Sequence, residues 1–515
     1  NHTLPIKYLK YLIVFYIFLQ GLSAFSQDIL QGNLIQGEYN VGFKRIVVMD
    51  SMRSSQNDLI VSNRPVIINM WYPAQDSATK ITYDRYLNFD SDILDNRLVR
   101  NLNRYNQKMT KLYGFNKKTG ILLPHEIVAF RKWKKSETLA SENALPIQSR
   151  FPLIIYHQGL GAPIADNQAF IEYLVSYGFV VCNAAYQAND IKWPEVNGDV
   201  DISIPDMNII VEIARKEQFV DEKLGLMGHS VGATLCMRYI VKGKYKVDAI
   251  ALYDQGINYI ESYSSEKDES LNMILSEILG NVDKFTAPIL YAGSHVKFLA
   301  MDSLSSCKRT YIEVSQLAHE DFTSNGIVGR RLNKHNKSNI NRVNIIQENY
   351  ELLANYSRCF FSLHLNADDS KTNTINFPSL PTTRFKSWQR KVGVNPTSGG
   401  YLKLDSRRLN KMVGTYSFKK GNTVIEICLC IKGKELKQCS RVKKTYRKNG
   451  TLKKIIESNA EVKMKFFSEV DYQTLGGIPN WGEFEFDDNN NCIGFTARDY
   501  IDYKWVDIIY YKRVD

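Results

Sequence analysis

The chain of 515 residues is too long for one ordinary domain and suggests two. Its composition, 44% hydrophobic and 23% charged, excludes a disordered chain. A formal charge of +12 would suit an acidic partner, but Lys and Arg are scattered and no nucleic-acid-binding motif is present, so the charge reads as solvated surface.

At the N-terminus, Lys7 and Lys10 precede an apolar run over 11–22, and the small residues Ala24 and Ser26 follow. This is the pattern of a signal peptide over 1–26, cleaved before Gln27, and it implies an exported mature protein, periplasmic or secreted from a bacterium. The run is short for a bilayer span, so no stable membrane span is expected after its removal. No cysteine follows the cleavage region, against a lipoprotein anchor.

Strand-like runs occupy 39–49 and 65–73, with a polar, serine-rich turn between them. Residues 79–150 are polar, spotted with aromatics and mostly helical in pattern, with helices expected over 94–112 and 126–139. That length exceeds a plain connection, so the segment is either a cap over a site or a helical decoration away from it. From Phe151 the rhythm is strand, turn, helix. Strands are expected at 151–156, 179–182, 224–227, 247–253, 288–292 and 310–314, with helices at 170–177, 204–215 and 341–365. Short apolar runs without alternation, interleaved with helices, predict an α/β fold whose mostly parallel sheet is covered on both faces.

Residues 366–400 shift to Asn, Ser, Thr, Pro and Gly and read as a linker. Beyond it, 401–515 holds short strand-like runs at 424–431, 453–456, 462–467, 482–486 and 508–511, with turns at Asn449-Gly450 and 487–491, a small all-β domain. The expected organisation is a leader over 1–26, an α/β domain over 27–365 with the 79–150 insertion, the linker, and the β-domain. Eight cysteines in this length do not make a disulfide scaffold. Cys182 and Cys236 sit in apolar runs as packed thiols, whereas Cys428, Cys430, Cys439 and Cys492 could form one or two bridges after export. No spacing suggests a zinc site.

The chemistry centres on Leu224-Gly-Leu-Met-Gly-His-Ser-Val-Gly-Ala233. A strand ends at Met227, the chain turns through Gly-x-Ser-x-Gly, and a helix follows with Leu235, Cys236, Tyr239 and Ile240 on its apolar positions. This is the nucleophile elbow of the α/β-hydrolases, with Ser230 at its apex. A serine hydroxyl needs a base to take its proton and a third group to orient that base. In this fold the order is Ser, acid, His. Asp254 closes the strand after the elbow, at the carboxyl end where active-site groups gather. In many such enzymes the acid follows the next strand instead, but there Ala292-Gly-Ser-His-Val296 offers no carboxylate until Asp302. A neighbouring carboxylate in place of Asp254 stays open. Asp248 stands at the wrong end of its strand and reads as structural.

His319, in Gln316-Leu-Ala-His-Glu-Asp-Phe322, follows the last strand and is the candidate base. His229 belongs to the elbow, His157 precedes a core loop, His2 lies in the leader, and His125, His295, His335 and His364 lack the position. An oxyanion hole needs two backbone N–H groups. Val231 supplies one, and Leu160 in Gln158-Gly-Leu-Gly161 is the candidate for the other. On the alternative reading those glycines only make a tight turn.

Residues 155–162, Ser176-Tyr-Gly-Phe-Val180, the elbow, Ile250-Ala-Leu-Tyr-Asp254 and Ala318-His319 together resemble the plasma-type platelet-activating-factor acetylhydrolases and the broader dienelactone-hydrolase-like esterases. The stretch Arg64-Pro-Val-Ile-Ile-Asn-Met-Trp-Tyr-Pro-Ala74 is similar to the first strand of bacterial members, and the likeness covers about 35–365. The resemblance implies an acid after the strand following the elbow, as Asp254 is, and oxyanion donors at Leu160 and Val231. Three features depart from it. Gln158 stands where the family has His, Ala233 follows Gly232 in place of a second Gly, and Tyr253 falls where the acid often aligns. The tail resembles β-domains appended to bacterial periplasmic hydrolases, through 409–418 and Glu483-Phe-Glu-Phe-Asp487.

The expectation is an exported serine esterase acting on a small ester through Ser230, His319 and Asp254 and an acyl-enzyme, with no metal or organic cofactor and no nucleic-acid partner. Two alternatives stand beside it: an acyltransferase on the same site, and a non-catalytic envelope- or glycan-binding protein on a hydrolase scaffold. The sequence leaves the acyl length, the partner of the β-domain and the oligomeric state open.

Overall fold

The computed structural model describes residues 29–513 except 58–59, 76–78, 91–93, 95, 116–120, 187–202, 256–266, 295–303, 305, 315, 333–339, 367–374, 383–384, 391–413 and connections between the C-terminal strands; the strands beyond 413 are described as backbone. The expected leader, Asp302, and His2, His295 and His335 lie outside the described residues. The chain divides into two compact units, one of residues 1–257, 270–296 and 305–394, the other of 258–269, 297–304 and 395–515.

In chain order the first unit contains β1 (Asn40–Asn57), β2 (Ile60–Ala74), β3 (Lys80–Thr82), α1 (Tyr83–Leu87), α2 (Asn96–Gly114), α3 (Pro124–Lys135), β4 (Glu137–Glu142) and β5 (Phe151–His157). Then come α4 (Gln168–Ser176), β6 (Val180–Ala184), α5 (Ser203–Ala214), β7 (Val220–His229), α6 (Val231–Lys242) and β8 (Ala249–Tyr253). The helix α7 (Lys267–Leu279) begins in residues assigned to the second unit and precedes β9 (Ile289–Gly293) and β10 (Arg309–Val314). A 3₁₀ turn (His319–Phe322), α8 (Ser324–Leu332), α9 (Ile340–Leu365) and β11 (Phe385–Arg390) complete it.

The eleven strands form one sheet in the order β11-β10-β9-β8-β7-β5-β6-β2-β1-β4-β3. The run from β6 through β10 is parallel, while β2 lies antiparallel between β6 and β1. Parallel neighbours require crossovers, and α4, α5 and α6 supply them. Alternation along β5 shows how both faces are covered. Ile154 and Tyr156 join the core built with Phe170 and Leu174 of α4 and Phe361 and Leu365 of α9, while Leu153 and Ile155, also buried, turn to the other face, where α5 and α6 pack. Gly225 in β7 lets α9 come close, since a Cβ there would meet Leu365 Cδ1 at 2.8 Å. This sheet, with helices on both faces and a sharp turn after β7, is the α/β-hydrolase fold.

The first unit differs from the sequence reading at several points. The serine-rich stretch expected as a turn lies within β1 and β2, because main-chain pairing carries the hairpin past the point where apolar alternation stops. The helix expected to reach Leu139 ends at Lys135, and 137–142 instead form β4, held parallel to β1 through Val41, Gly42 and Phe43. Residues 385–390, inside the stretch read as linker, are β11, an edge strand antiparallel to β10. The helices α7 and α8 had no counterpart in the sequence reading.

Among its described residues from 414 on, the second unit holds antiparallel strands: β12 (Gly414–Lys420), β13 (Thr423–Lys432), β14 (Glu435–Tyr446), β15 (Leu452–Ser458), β16 (Val462–Phe466), β17 (Asp471–Leu475), β18 (Trp481–Phe486), β19 (Cys492–Arg498), β20 (Tyr500–Ile501), β21 (Lys504–Trp505) and β22 (Ile509–Arg513). Nine of these form one sheet, and an additional pairing of β13 with β14 closes eight of them into a ring, with β15 beyond β14. Cys428, Cys430, Cys439 and Cys492 lie on its strands, and their side chains are outside the described residues.

Candidate active site

The elbow is forced by contacts that exclude side chains. A Cβ on Gly228 would lie 2.6 Å from the Gly232 carbonyl oxygen, and one on Gly232 would lie 2.5 Å from the Gln158 carbonyl oxygen. Between them Ser230 takes φ 55°, ψ −126°, a conformation that costs a non-glycine residue about 1–3 kcal/mol. Its N–H donates to the Tyr253 carbonyl at 2.9 Å, which ties the turn to the end of β8. Ser230 is the N-cap of α6, so its hydroxyl sits at the positive end of a helix dipole.

Asp254 immediately follows β8 and also has positive φ, 39°. It is almost wholly buried, at 1% exposure. Its Oδ1 accepts from Ser294 N–H at 2.9 Å and from Ser294 Oγ at 3.1 Å, and its Oδ2 accepts from His319 Nδ1 at 2.6 Å. The Ser294 hydroxyl and amide stand where the sequence reading looked for a carboxylate and found none. They orient the carboxylate of the preceding strand. A serine directly after β9 was the signal available.

His319 opens the 3₁₀ turn after β10, with about a third of its side chain exposed. With Nδ1–H given to Asp254, Nε2 holds the basic lone pair of the neutral ring. Burial works against the protonated ring, but the hydrogen bond and charge of Asp254, with a contribution from Glu320, outweigh it and raise the His319 pKa above its ordinary value. The turn is braced by Asp321, which accepts from Ala318 N–H at 2.9 Å and pairs with Arg330.

His229 underlies this loop. Its Nε2–H donates to the His319 carbonyl at 2.9 Å, and the two rings lie 4.6 Å apart. Burial, then the neighbouring His319, depress its pKa to about 3, so it is a neutral brace. His157 is likewise buried and depressed to about 4. It bonds the Gln158 carbonyl and Ser203 Oγ and stacks on Tyr186 at 3.9 Å. Asp248 pairs with Lys223 and accepts from Leu224 N–H, at the far end of the sheet from Asp254.

The loop after β5 approaches the elbow closely: a Cβ on Gly159 would lie 3.2 Å from Ser230 Cβ. Residues 159–162 form a turn closed by Ala162 N–H to the Gly159 carbonyl at 3.1 Å, with Gly161 at φ 72° and Leu160 exposed. Val231 is the first residue of α6, where backbone N–H groups have no intrahelical acceptor. Behind the loop lies Asp166, fully buried, its Oδ1 accepting from Tyr156 Oη at 2.9 Å. Burial pushes its pKa up to about 7. Neither Asp166 nor Ser294 was picked out from the sequence.

The arrangement brings a carboxylate-oriented imidazole, a strained serine at a helix N-terminus and a glycine-lined turn to one end of the sheet, where strands β5, β7, β8 and β9 end. Proton transfer from a hydroxyl and stabilisation of an oxyanion are the chemistry that groups of these types serve. Among the described residues no cluster of His, Cys, Asp and Glu could hold a metal ion, and no helix is long and apolar enough to cross a membrane.

No protein-family model and no curated protein matches the chain. Among solved structures it is similar to a ferulic acid esterase from Streptomyces cinnamoneus, 16% identical with a TM-score of 0.45, over 68% of this chain and 96% of that one. It is also similar to Est1E from Butyrivibrio proteoclasticus, 15% identical with a TM-score of 0.25, over 32% of this chain and 78% of that one.

Proposed function

We propose that the chain is a serine hydrolase of carboxylic esters. The observation that carries this reading is the Asp254 carboxylate, fixed by Ser294 and bonded at 2.6 Å to His319 Nδ1, beside a serine at φ 55°. In the proposed mechanism His319 Nε2 takes the proton of Ser230 as Oγ attacks the ester carbonyl. Asp254 holds the tautomer and stabilises the imidazolium. The amides of Val231 and Leu160 receive the oxyanion, the imidazolium protonates the leaving alcohol, and water activated by the same ring clears the acyl-enzyme. The resemblance to the platelet-activating-factor acetylhydrolases and dienelactone-hydrolase-like esterases supports a small ester as substrate, and the N-terminal pattern supports an exported enzyme.

The test is turnover of p-nitrophenyl esters from acetyl to palmitoyl by the mature protein and by Ser230→Ala. The reading expects hydrolysis by the first and loss of at least about 10⁴-fold in the second. Equal rates in both, or none in either, would overturn it. Added alcohol competing with water for the acyl group would identify an acyltransferase.

A further inference from the structure

Helix α2, in the insertion, lies on the loop that follows β5. Tyr105, Met109 and Tyr113 are four residues apart and so share one helix face. A Cβ on Gly161 would come 3.4 Å from Met109 Cε, 3.5 Å from Tyr113 Oη and 3.8 Å from Tyr105 Oη, so this face rests directly on the turn. Two hydrogen bonds fasten it there. Tyr113 Oη donates to the Leu160 carbonyl at 2.8 Å, and Ile164 N–H donates to Asn106 Oδ1 at 3.1 Å. The helix is itself anchored: Leu98 and Leu102 pack with Ile67 and Ile164, and the Gly114 carbonyl abuts Gly329 of α8 so closely that no Cβ would fit. On its other side the turn rests on the elbow through Gly159.

We propose that Tyr113 is a positioning residue that fixes the turn 159–162 through the Leu160 carbonyl, and so aims the Leu160 N–H at the developing oxyanion. This rests on the esterase reading and extends it: the insertion acts on the chemical step, through a helix far from Ser230 in sequence. The Leu160 N–H belongs to the Gly159–Leu160 peptide, whose carbonyl accepts from Ala162 N–H at 3.1 Å, and the Tyr113 bond fixes the next peptide, Leu160–Gly161, so the exposed Leu160 between them keeps its N–H in one direction only while both planes are held. The hydroxyl that holds it keeps its proton at working pH, since burial and the nearby Asp166 and Glu320 push the Tyr113 pKa up to about 12. A tyrosine that merely walled the pocket would act on binding. One that sets a donor's direction acts on the transition state.

The experiment compares wild type with Tyr113→Phe, which removes only the hydroxyl. The expected result on p-nitrophenyl acetate and butyrate is a kcat about 10-fold lower with KM within about twofold for both esters, the loss of one ordinary hydrogen bond expressed in the transition state. Backbone amide hydrogen exchange in the 158–165 segment should accelerate in Tyr113→Phe, and in Asn106→Ala, which cuts the second tie. A change confined to KM that varies with acyl length, or exchange indistinguishable from wild type, would overturn the proposal. If wild type hydrolyses no ester, the esterase reading fails while the exchange comparison still decides whether Tyr113 holds the turn.

Discussion

Replacing Asp254 by Asn keeps the size of the side chain and reverses the proton logic of the site. Ser294 N–H can only donate, and it faces Oδ1 at 2.9 Å. The Asn oxygen must therefore stay toward Ser294, and its NH₂ must turn toward His319 Nδ1, 2.6 Å from the other carboxylate oxygen in wild type. His319 Nδ1 then accepts, and the ring proton moves to Nε2, the nitrogen that should take the proton of Ser230. A reversed tautomer of this kind costs on the order of 10⁴ in kcat, about 5.5 kcal/mol at 1.36 kcal/mol per factor of ten. The assay is p-nitrophenyl acetate turnover across pH 5–9, with thermal unfolding as control. In wild type the neutral imidazole is the active form, so activity should rise through a pKa above the ordinary 6.5 that Asp254 maintains. In Asp254→Asn the residual activity should rise at lower pH, because the raising influence of Asp254 is gone and burial, the largest single effect, is opposed only by the smaller contribution of Glu320. A variant within about tenfold of wild type, or one with an unmoved acid limb, would refute the assignment of Asp254.

Three further outcomes follow from the same contacts. Gly232→Ala should lose about 3 kcal/mol or more in urea denaturation, because its Cβ would lie 2.5 Å from the rigid Gln158 carbonyl oxygen; a loss under about 1 kcal/mol would show that the elbow can yield. Arg64→Ala should cost about 3–5 kcal/mol, because it takes from the buried Asp206 carboxylate a two-pronged charged partner at 2.5 and 2.7 Å, both side chains being fully buried; near-neutral unfolding would contradict this. Asp166 has a folded pKa raised from 3.8 to about 7, so the folded state binds its proton more tightly and stability falls as pH rises through that window. Asp166→Asn should therefore gain stability relative to wild type between pH 4 and 7, on the order of a few kcal/mol, and a Tm difference that does not change with pH would count against it.

What was legible in the sequence was what local geometry dictates. The glycines at 228 and 232 announce the elbow because no other residue fits there; Asp254 stands out as a polar residue directly after an apolar strand, and His319 as a histidine a short loop beyond another. The less legible parts depend on partners distant in sequence. Phe385-Lys-Ser-Trp-Gln-Arg390 has no apolar alternation and is a strand because β10 offers it an edge. The 137–142 stretch is a strand because β1 fixes it. Tyr113 meets Leu160 across 47 residues, and its own helix pattern reads only as amphipathic. Ser294 was in view, but as a missing carboxylate; its role as a double donor to Asp254 depends on the two strand ends lying side by side.

The most direct test of the central claim is covalent trapping of the nucleophile. The protein is treated with a fluorophosphonate, and the adduct is located by peptide mass mapping while p-nitrophenyl acetate hydrolysis is followed. The account predicts stoichiometric modification at Ser230, activity lost in proportion, and no adduct in Ser230→Ala. An adduct on another residue that tracks the loss of activity, or full activity with Ser230 modified, would contradict it.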